Sequence, residues 1–309
     1  MRLDPREVSA STLVLIALAI AITIAFVVGG TTAAVAFSPF NPGWEGLSAL
    51  NDVADEAGVD RETIASAAAY DDLPREGTVV FIVEPGHYEE HETDAVADFL
   101  DRGGTVVVAT REPDTGGQLL ADLGSDVAVD GAPLRDEVEY DPTPDFPKVT
   151  TVANDSVAAD AEGMTLNHGT ALDVEGGARP VANSSQYSYL NRTDEGDVPA
   201  TQDALGARPV VAVDTVGEGT VIAVSDPSVF INAMLEREAN RALATGIVTE
   251  GDRVVLDRST EDIPPLAHLL IVIRGSPLVA TGIVVGLIGV LAAWERGYLR
   301  RIVEHSTGG

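Results

Sequence analysis

Short, fully apolar runs alternate with amphipathic stretches along the middle of the chain, and two much longer uncharged runs stand towards its ends. In the middle, Thr78-Val79-Val80-Phe81-Ile82-Val83 is a β-branched run that Glu84-Pro85-Gly86 breaks. Residues 90–102 then place Ala95, Val96, Phe99 and Leu100 at helical spacing. Gly103-Gly104 supplies a left-handed helix cap, and Thr105-Val106-Val107-Val108-Ala109 repeats the strand signature. A strand, helix, strand unit with such short connections implies parallel strands covered on both faces. The predicted fold class is therefore α/β with a parallel sheet.

Around this unit the pattern predicts helices over 47–57, 64–69 and 118–123, and short strands over 149–153, 164–167 and 180–182. Pro-rich 141–147 and polar 191–206 read as loops. Pro209-Val210-Val211-Ala212-Val213, a turn at Gly217-Glu218-Gly219 and residues 220–225 read as a β-hairpin. Asp226-Pro227-Ser228 opens a helical stretch that runs through Asn232 and Glu236 to about Val248.

The outer runs are long enough to matter to topology. Residues 12–36 are nearly all Leu, Ile, Ala, Val and Gly, with no charge between Glu7 and Glu45, against about 20 residues needed to cross a bilayer. A cleaved signal peptide would have a shorter apolar core, about 7–15 residues. The second run is interrupted by Arg274-Gly275-Ser276-Pro277, so Ser276 as N-cap and Pro277 at the first helical position place a span at 277–294. Residues 266–276 then form an interfacial segment. Arg2 and Arg6 before the first span, and Arg296, Arg300 and Arg301 after the second, put 1–11 and 295–309 in the cytoplasm. Residues 37–265 become an extracytoplasmic domain of a two-pass protein in the cell membrane. Three N-x-S/T triplets, at Asn154, Asn183 and Asn191, are compatible with that side.

Charge sharpens this picture. The chain carries 49 acidic and 19 basic side chains, of which only Lys148 is a lysine, and it has no cysteine. Residues 45–265 alone hold 45 acidic against 13 basic groups, net −32. Carboxylates spread this evenly are the mark of salt adaptation: the Debye length falls to about 3 Å at 1 M, which screens their repulsion. Phosphate backbones would be repelled, which excludes nucleic acid as a partner. Without cysteine, thiolate nucleophiles, disulfides and Cys-ligated zinc are impossible.

Three sets of residues resemble a known family. They are Asn41-Pro42, the segment from Phe99-Leu100-Asp101-Arg102 through Gly103-Gly104 to Val107, and Gly217-Glu218-Gly219 through Ser225-Asp226-Pro227 leading to Asn232 and Asn240. In these the chain resembles domain-of-unknown-function family 4350, over most of residues 35–300. The resemblance implies a membrane-anchored protein with a class I glutamine amidotransferase-like (flavodoxin-like) domain, here a haloarchaeal member. It also implies an accessory role beside membrane proteins of a MoxR-class ATPase-associated system. Amidotransferase chemistry uses a cysteine with a histidine, and this chain has no cysteine to carry it.

Candidate residues follow from the strand ends, since open α/β sheets bind ligands beyond the carboxyl ends of their strands. Glu84, Arg111 and Asp226 occupy such places, and Asn232 and Asn240 line the same cleft or fix a helix pair. Asp226 also reads as a helix cap before Pro227. The one motif with metal chemistry is His87-Tyr88-Glu89-Glu90-His91, which has the H-x-x-E-H order of inverted zinc peptidases. On a helix, His87 and His91 would share a face with Glu90 as general base, but Pro85-Gly86 sets His87 in a turn. The leading expectation is a membrane-anchored, non-catalytic binding or assembly module without cofactor. A zinc hydrolase on His87, Glu90 and His91, or a cell-envelope structural protein, are the alternatives.

On transfer from molar to low salt, the far-ultraviolet circular dichroism of the purified protein is expected to collapse and to recover when salt is restored. A spectrum indifferent to salt would refute the screening account.

Overall fold

The computed structural model describes residues 35–153, 156–192 and 204–260, which fall in one compact unit. Both predicted spans, 12–36 but for its last two residues and 277–294, lie outside the described residues, as do the two tails and the interfacial segment. No helix among the described residues is long and apolar enough to cross a membrane.

In chain order, α1 (Ser48–Ala57) leads to β1 (Asp60–Ile64), β2 (Thr78–Val83), α2 (Glu90–Asp101) and β3 (Thr105–Ala109). Then come α3 (Gln118–Asp122), β4 (Val127–Val129), β5 (Leu134–Asp136), β6 (Val149–Val152), β7 (Leu172–Val174), β8 (Arg179–Ser184) and β9 (Ser188–Leu190). The chain closes with β10 (Pro209–Val216), β11 (Gly219–Val224), α4 (Asn232–Leu235), α5 (Glu238–Val248) and β12 (Arg253–Asp257).

One eight-stranded sheet, in the order β1-β12-β2-β3-β11-β10-β8-β6, organises the unit. Its first five strands are mutually parallel, and β10, β8 and β6 continue it antiparallel. The predicted strand, helix, strand unit is β2-α2-β3, with Val80 paired to Val106 and Ile82 to Val108. The predicted hairpin is β10-β11, and β11 then lies parallel to β3.

Strand periodicity explains why both faces are dry. Val79, Phe81, Val107, Ile222 and Val224 enter one core with Phe230, Leu243 and Ile247, while Val80, Ile82, Val106, Val108 and Ala223 enter the other with Phe99, Leu100 and Leu120. An edge-to-face pair marks each core: Phe81 on Phe230 with centroids 5.4 Å apart, and Tyr70 on Phe99 at 5.7 Å. Helix α2 starts with a capping box between Glu89 and Glu92 and ends at Gly103, whose φ of 89° is the left-handed cap expected there.

Three expectations need correction. Residues 64–69 are not a helix: Ile64 ends edge strand β1, and a 3-10 helix follows over Ala67–Asp72. The sequence Asp-Arg-Glu-Thr-Ile of β1 has no apolar run, because an edge strand exposes its polar side chains. Residues 164–167 form no strand. They make a single bridge, Lys148 with Thr165, and are otherwise held by side chains of Asn240 and Asp226. The stretch from Pro227 to Val248 is three short helices rather than one, broken at Ile231 and Arg237, both in extended conformation.

At the amino end of the sheet the hairpin turn packs against α2 so closely that a β-carbon on Gly219 would stand 2.5 Å from the Leu100 carbonyl oxygen and 2.6 Å from that of Gly104. Backbone on both sides cannot give way. Gly219→Ala should therefore lower stability by about 1–3 kcal/mol, read from thermal unfolding in molar salt. Gly206→Ala, with nothing within 4 Å, is the neutral control; equal melting of the two variants would refute the close-approach argument.

Candidate functional site

Strands β2, β3 and β11 are neighbours, so the residues that follow them meet at one end of the sheet. Glu84 directly follows β2 and holds a φ of 46°, rare for a residue with a side chain. Its N–H donates to the Ala109 carbonyl at 2.8 Å, which fixes the strained residue to the end of β3. Its Oε1 lies 4.0 Å from Arg111 Nε, and its buried Oε2 has no hydrogen-bond partner. Burial raises the Glu84 pKa above the ordinary glutamate value, against the pull of Arg111. Arg111, half-exposed, also reaches Glu112 at 3.5 Å.

Asp226 follows β11 by two residues and is wholly buried. One carboxylate oxygen accepts from the Ser228 N–H at 2.8 Å, capping the 3-10 helix Pro227–Phe230, and the other accepts from the Asn167 N–H. Burial pushes its pKa up to about 7, opposed by these N–H groups and by the Arg111 charge. The capping reading of Asp226 is therefore realised. Beside it, the Ser225 hydroxyl is buried without a partner.

Residues 167–170 form a further wall that sequence reasoning missed. Asn167 bonds to Asp226, a β-carbon on Gly169 would lie 2.8 Å from the Asp226 β-carbon, and the Thr170 N–H donates to the Ser225 carbonyl at 3.0 Å. Exposed His168 between them holds a φ of 59° and sets its ring edge-on to Phe146. The polar Asn-His-Gly triplet was the available signal, hidden by reading 164–167 as a strand.

The two asparagines work elsewhere. The Asn232 amide accepts from the Ala49 N–H at 2.7 Å and donates to the Asn41 and Gly43 carbonyls, so it ties residues 41–49 to α4. The buried Asn240 side chain exchanges two bonds with the Thr165 backbone, at 3.0 and 2.9 Å. Asn232 thus joins α1 and its preceding loop to α4, whereas Asn240 joins α5 to the non-helical segment at Thr165 rather than to another helix.

The histidine motif does not acquire the helical turn that zinc would need. Helix α2 begins at Glu90 with Glu89 as its cap, so His87 precedes it, and His91 faces Glu89 at 3.5 Å on the surface. Among the described residues no group of three or more His, Asp or Glu is placed to hold a metal. The reason is the residue between: Tyr88 turns inward, and its hydroxyl donates to Asp257 Oδ2 at 2.7 Å. Tyr70 donates to the same oxygen at 2.6 Å, and the Ser259 N–H to the other at 2.7 Å. Burial first, and the Asp257 charge second, push both tyrosine pKa values well above the ordinary phenol range. This cluster at the end of β12 went unread in the sequence, since its three members are far apart along the chain.

A family model described as a domain of unknown function, DUF4350, matches residues 39–248. None of the curated proteins matches the chain. Among solved structures, the cytoplasmic protein STM1381 from Salmonella typhimurium LT2 is 15% identical, with 66% of this chain and 86% of that one covered at a TM-score of 0.43. The mmIFT52 N-terminal domain is 19% identical, with 62% and 76% covered at 0.40. A beta-galactosidase from Bacillus circulans sp. alkalophilus is 13% identical at 0.38, with 56% of this chain matching only 22% of that one. Likenesses this loose transfer no activity.

Asp226 makes stability depend on pH. Its folded pKa lies above its unfolded one, so burying the charge costs nothing below about pH 4, costs more as pH rises, and costs most above about pH 7. Asp226→Asn should flatten the fall in melting temperature across this window, while losing one N–H acceptor worth about 1 kcal/mol. An unchanged pH slope in the variant would assign the effect to other groups.

Proposed function

The chain belongs to the DUF4350 family, and we propose that it is a membrane-tethered, non-catalytic binding module that helps assemble a membrane-associated complex through the carboxyl-end cleft. The supporting observation is the meeting of Glu84, Arg111 and Asp226 from three neighbouring strands, with Glu84 in a left-handed conformation and its buried Oε2 unpartnered. Strain and unsatisfied polar atoms cost stability and persist where a ligand can offset them. The five parallel strands, with charged groups beyond their carboxyl ends, support an amidotransferase-like architecture. Lack of cysteine removes the nucleophile of that class, which favours binding over turnover.

Two uncharged runs and the arginines outside them support a two-pass anchor with the acidic domain outside the cytoplasm of a salt-adapted cell. Partners are then other membrane proteins, those of a MoxR-class ATPase-associated system first among them, and not nucleic acid.

The test uses the full chain purified in molar salt from its own membranes, beside Glu84→Gln and Arg111→Ala. Proteins and small molecules that accompany the wild type, identified by mass spectrometry, should be depleted by both substitutions while the domain melts as before. Equal recovery with all three would dismiss the cleft as the binding site, and chemical conversion of an accompanying small molecule would replace the module with an enzyme.

A further inference from the structure

The loop that follows the first apolar run is firmly held. The Phe37 N–H donates to the Glu45 carbonyl at 2.8 Å, closing the loop on itself. The Asn41 side chain donates to the Val35 carbonyl at 2.9 Å, and the Ala233 N–H to the Trp44 carbonyl at 3.1 Å. Asn232 adds its bonds to Asn41 and Gly43. Ser38 is buried and accepts from Arg258 Nη1 at 2.9 Å, so the loop is joined to the residue that follows β12.

On this held loop the indole of Trp44 is 68% exposed, the largest exposure of any large apolar side chain among the described residues. Val35 is exposed as well, at 40%. Residues 35–47 carry a single charged group, Glu45, in a chain that is 22% charged. Because Glu45 is bonded to Phe37, Trp44 cannot stray far from Ala36, where the apolar run ends. An amphipathic ring at that level is what the membrane–water interface selects. Local scarcity of carboxylates also spares the contact the repulsion that the rest of this surface would meet at an anionic bilayer.

We infer that residues 35–46 form a lipid-contacting face, with Trp44 set into the headgroup layer as an interfacial anchor. The occupant of this face is lipid rather than a protein partner. This rests on the reading of residues 12–36 as a membrane span, and the test separates the two.

The chain has two tryptophans, so the full-length Trp294→Phe variant reports Trp44 alone. It is reconstituted in molar salt into phosphatidylcholine and phosphatidylglycerol vesicles, with or without lipid brominated near the headgroup end of the acyl chain. Blue-shifted emission and a large loss of intensity in the brominated vesicles are expected. Emission that ignores bromine, from a chain that resists alkaline carbonate extraction, would overturn the lipid face while leaving the span intact. Release of the chain by carbonate would overturn the span and the face together. A blue shift without bromine quenching would mean a protein covers Trp44, which also overturns the proposal.

Discussion

Strand β2 is buried at all six positions and β3 at four of five, and this burial on both faces constrains everything else in the domain. A strand wedged between two apolar cores has no place for a charge along its length, so charged chemistry is pushed to the strand ends. The two ends then differ. At the amino end the backbone closes up, and Gly104, Gly219 and Gly251 sit where a β-carbon would strike the Phe99 ring or neighbouring carbonyl oxygens. At the carboxyl end stand Glu84, Arg111, Asp226 and Asp257, the last two buried.

Those acids are stabilised to different degrees. Asp257 receives two tyrosine hydroxyls and one N–H, and Asp226 receives two N–H groups. Glu84 has Arg111 at 4.0 Å and weaker support from Thr110 and the Arg111 backbone, yet its Oε2 makes no hydrogen bond, and the Ser225 hydroxyl is also unsatisfied. A buried polar group left without a partner costs about 1–3 kcal/mol. Of the atoms at this end of the sheet, Glu84 Oε2 and the Ser225 hydroxyl therefore carry such a cost, and Asp257 does not.

How much could be read from the chain depended on how local the signal was. Strands 78–83 and 105–109, their helix and the hairpin were legible because apolar period, turn glycines and caps lie within a few residues of one another. Strand β1 was not, because its stability comes from register with β12, Asp60 opposite Arg253 through Ile64 opposite Asp257, and not from its own polar sequence. Within the site, Glu84, Arg111 and Asp226 were legible from the strand-end rule. Residues 167–170 were not, since their one signal, the polar Asn-His-Gly triplet, was hidden by reading 164–167 as a strand and their partner Asp226 is far along the chain. Asn232 and Asn240 show the converse: polar residues near a strand end that bind backbone instead of facing a cleft.

Arginine, not lysine, takes the positions where the acidic chain needs its cations to be structural. Arg135 is nearly buried and contacts Asp145 at 2.6 Å and Glu137 at 3.5 Å, a fork that a lysine ammonium cannot reproduce. Exposed pairs such as Arg61 with Asp55 and Arg241 with Glu56 add little, about 0–1 kcal/mol each. Buried Arg258 is different again: it follows β12 directly and reaches Ser38, which fastens the loop of residues 35–47 beside the carboxyl end of β12. The end of the sheet that gathers Glu84, Arg111 and Asp226 is thus also the end at which the loop of residues 35–47 is fastened.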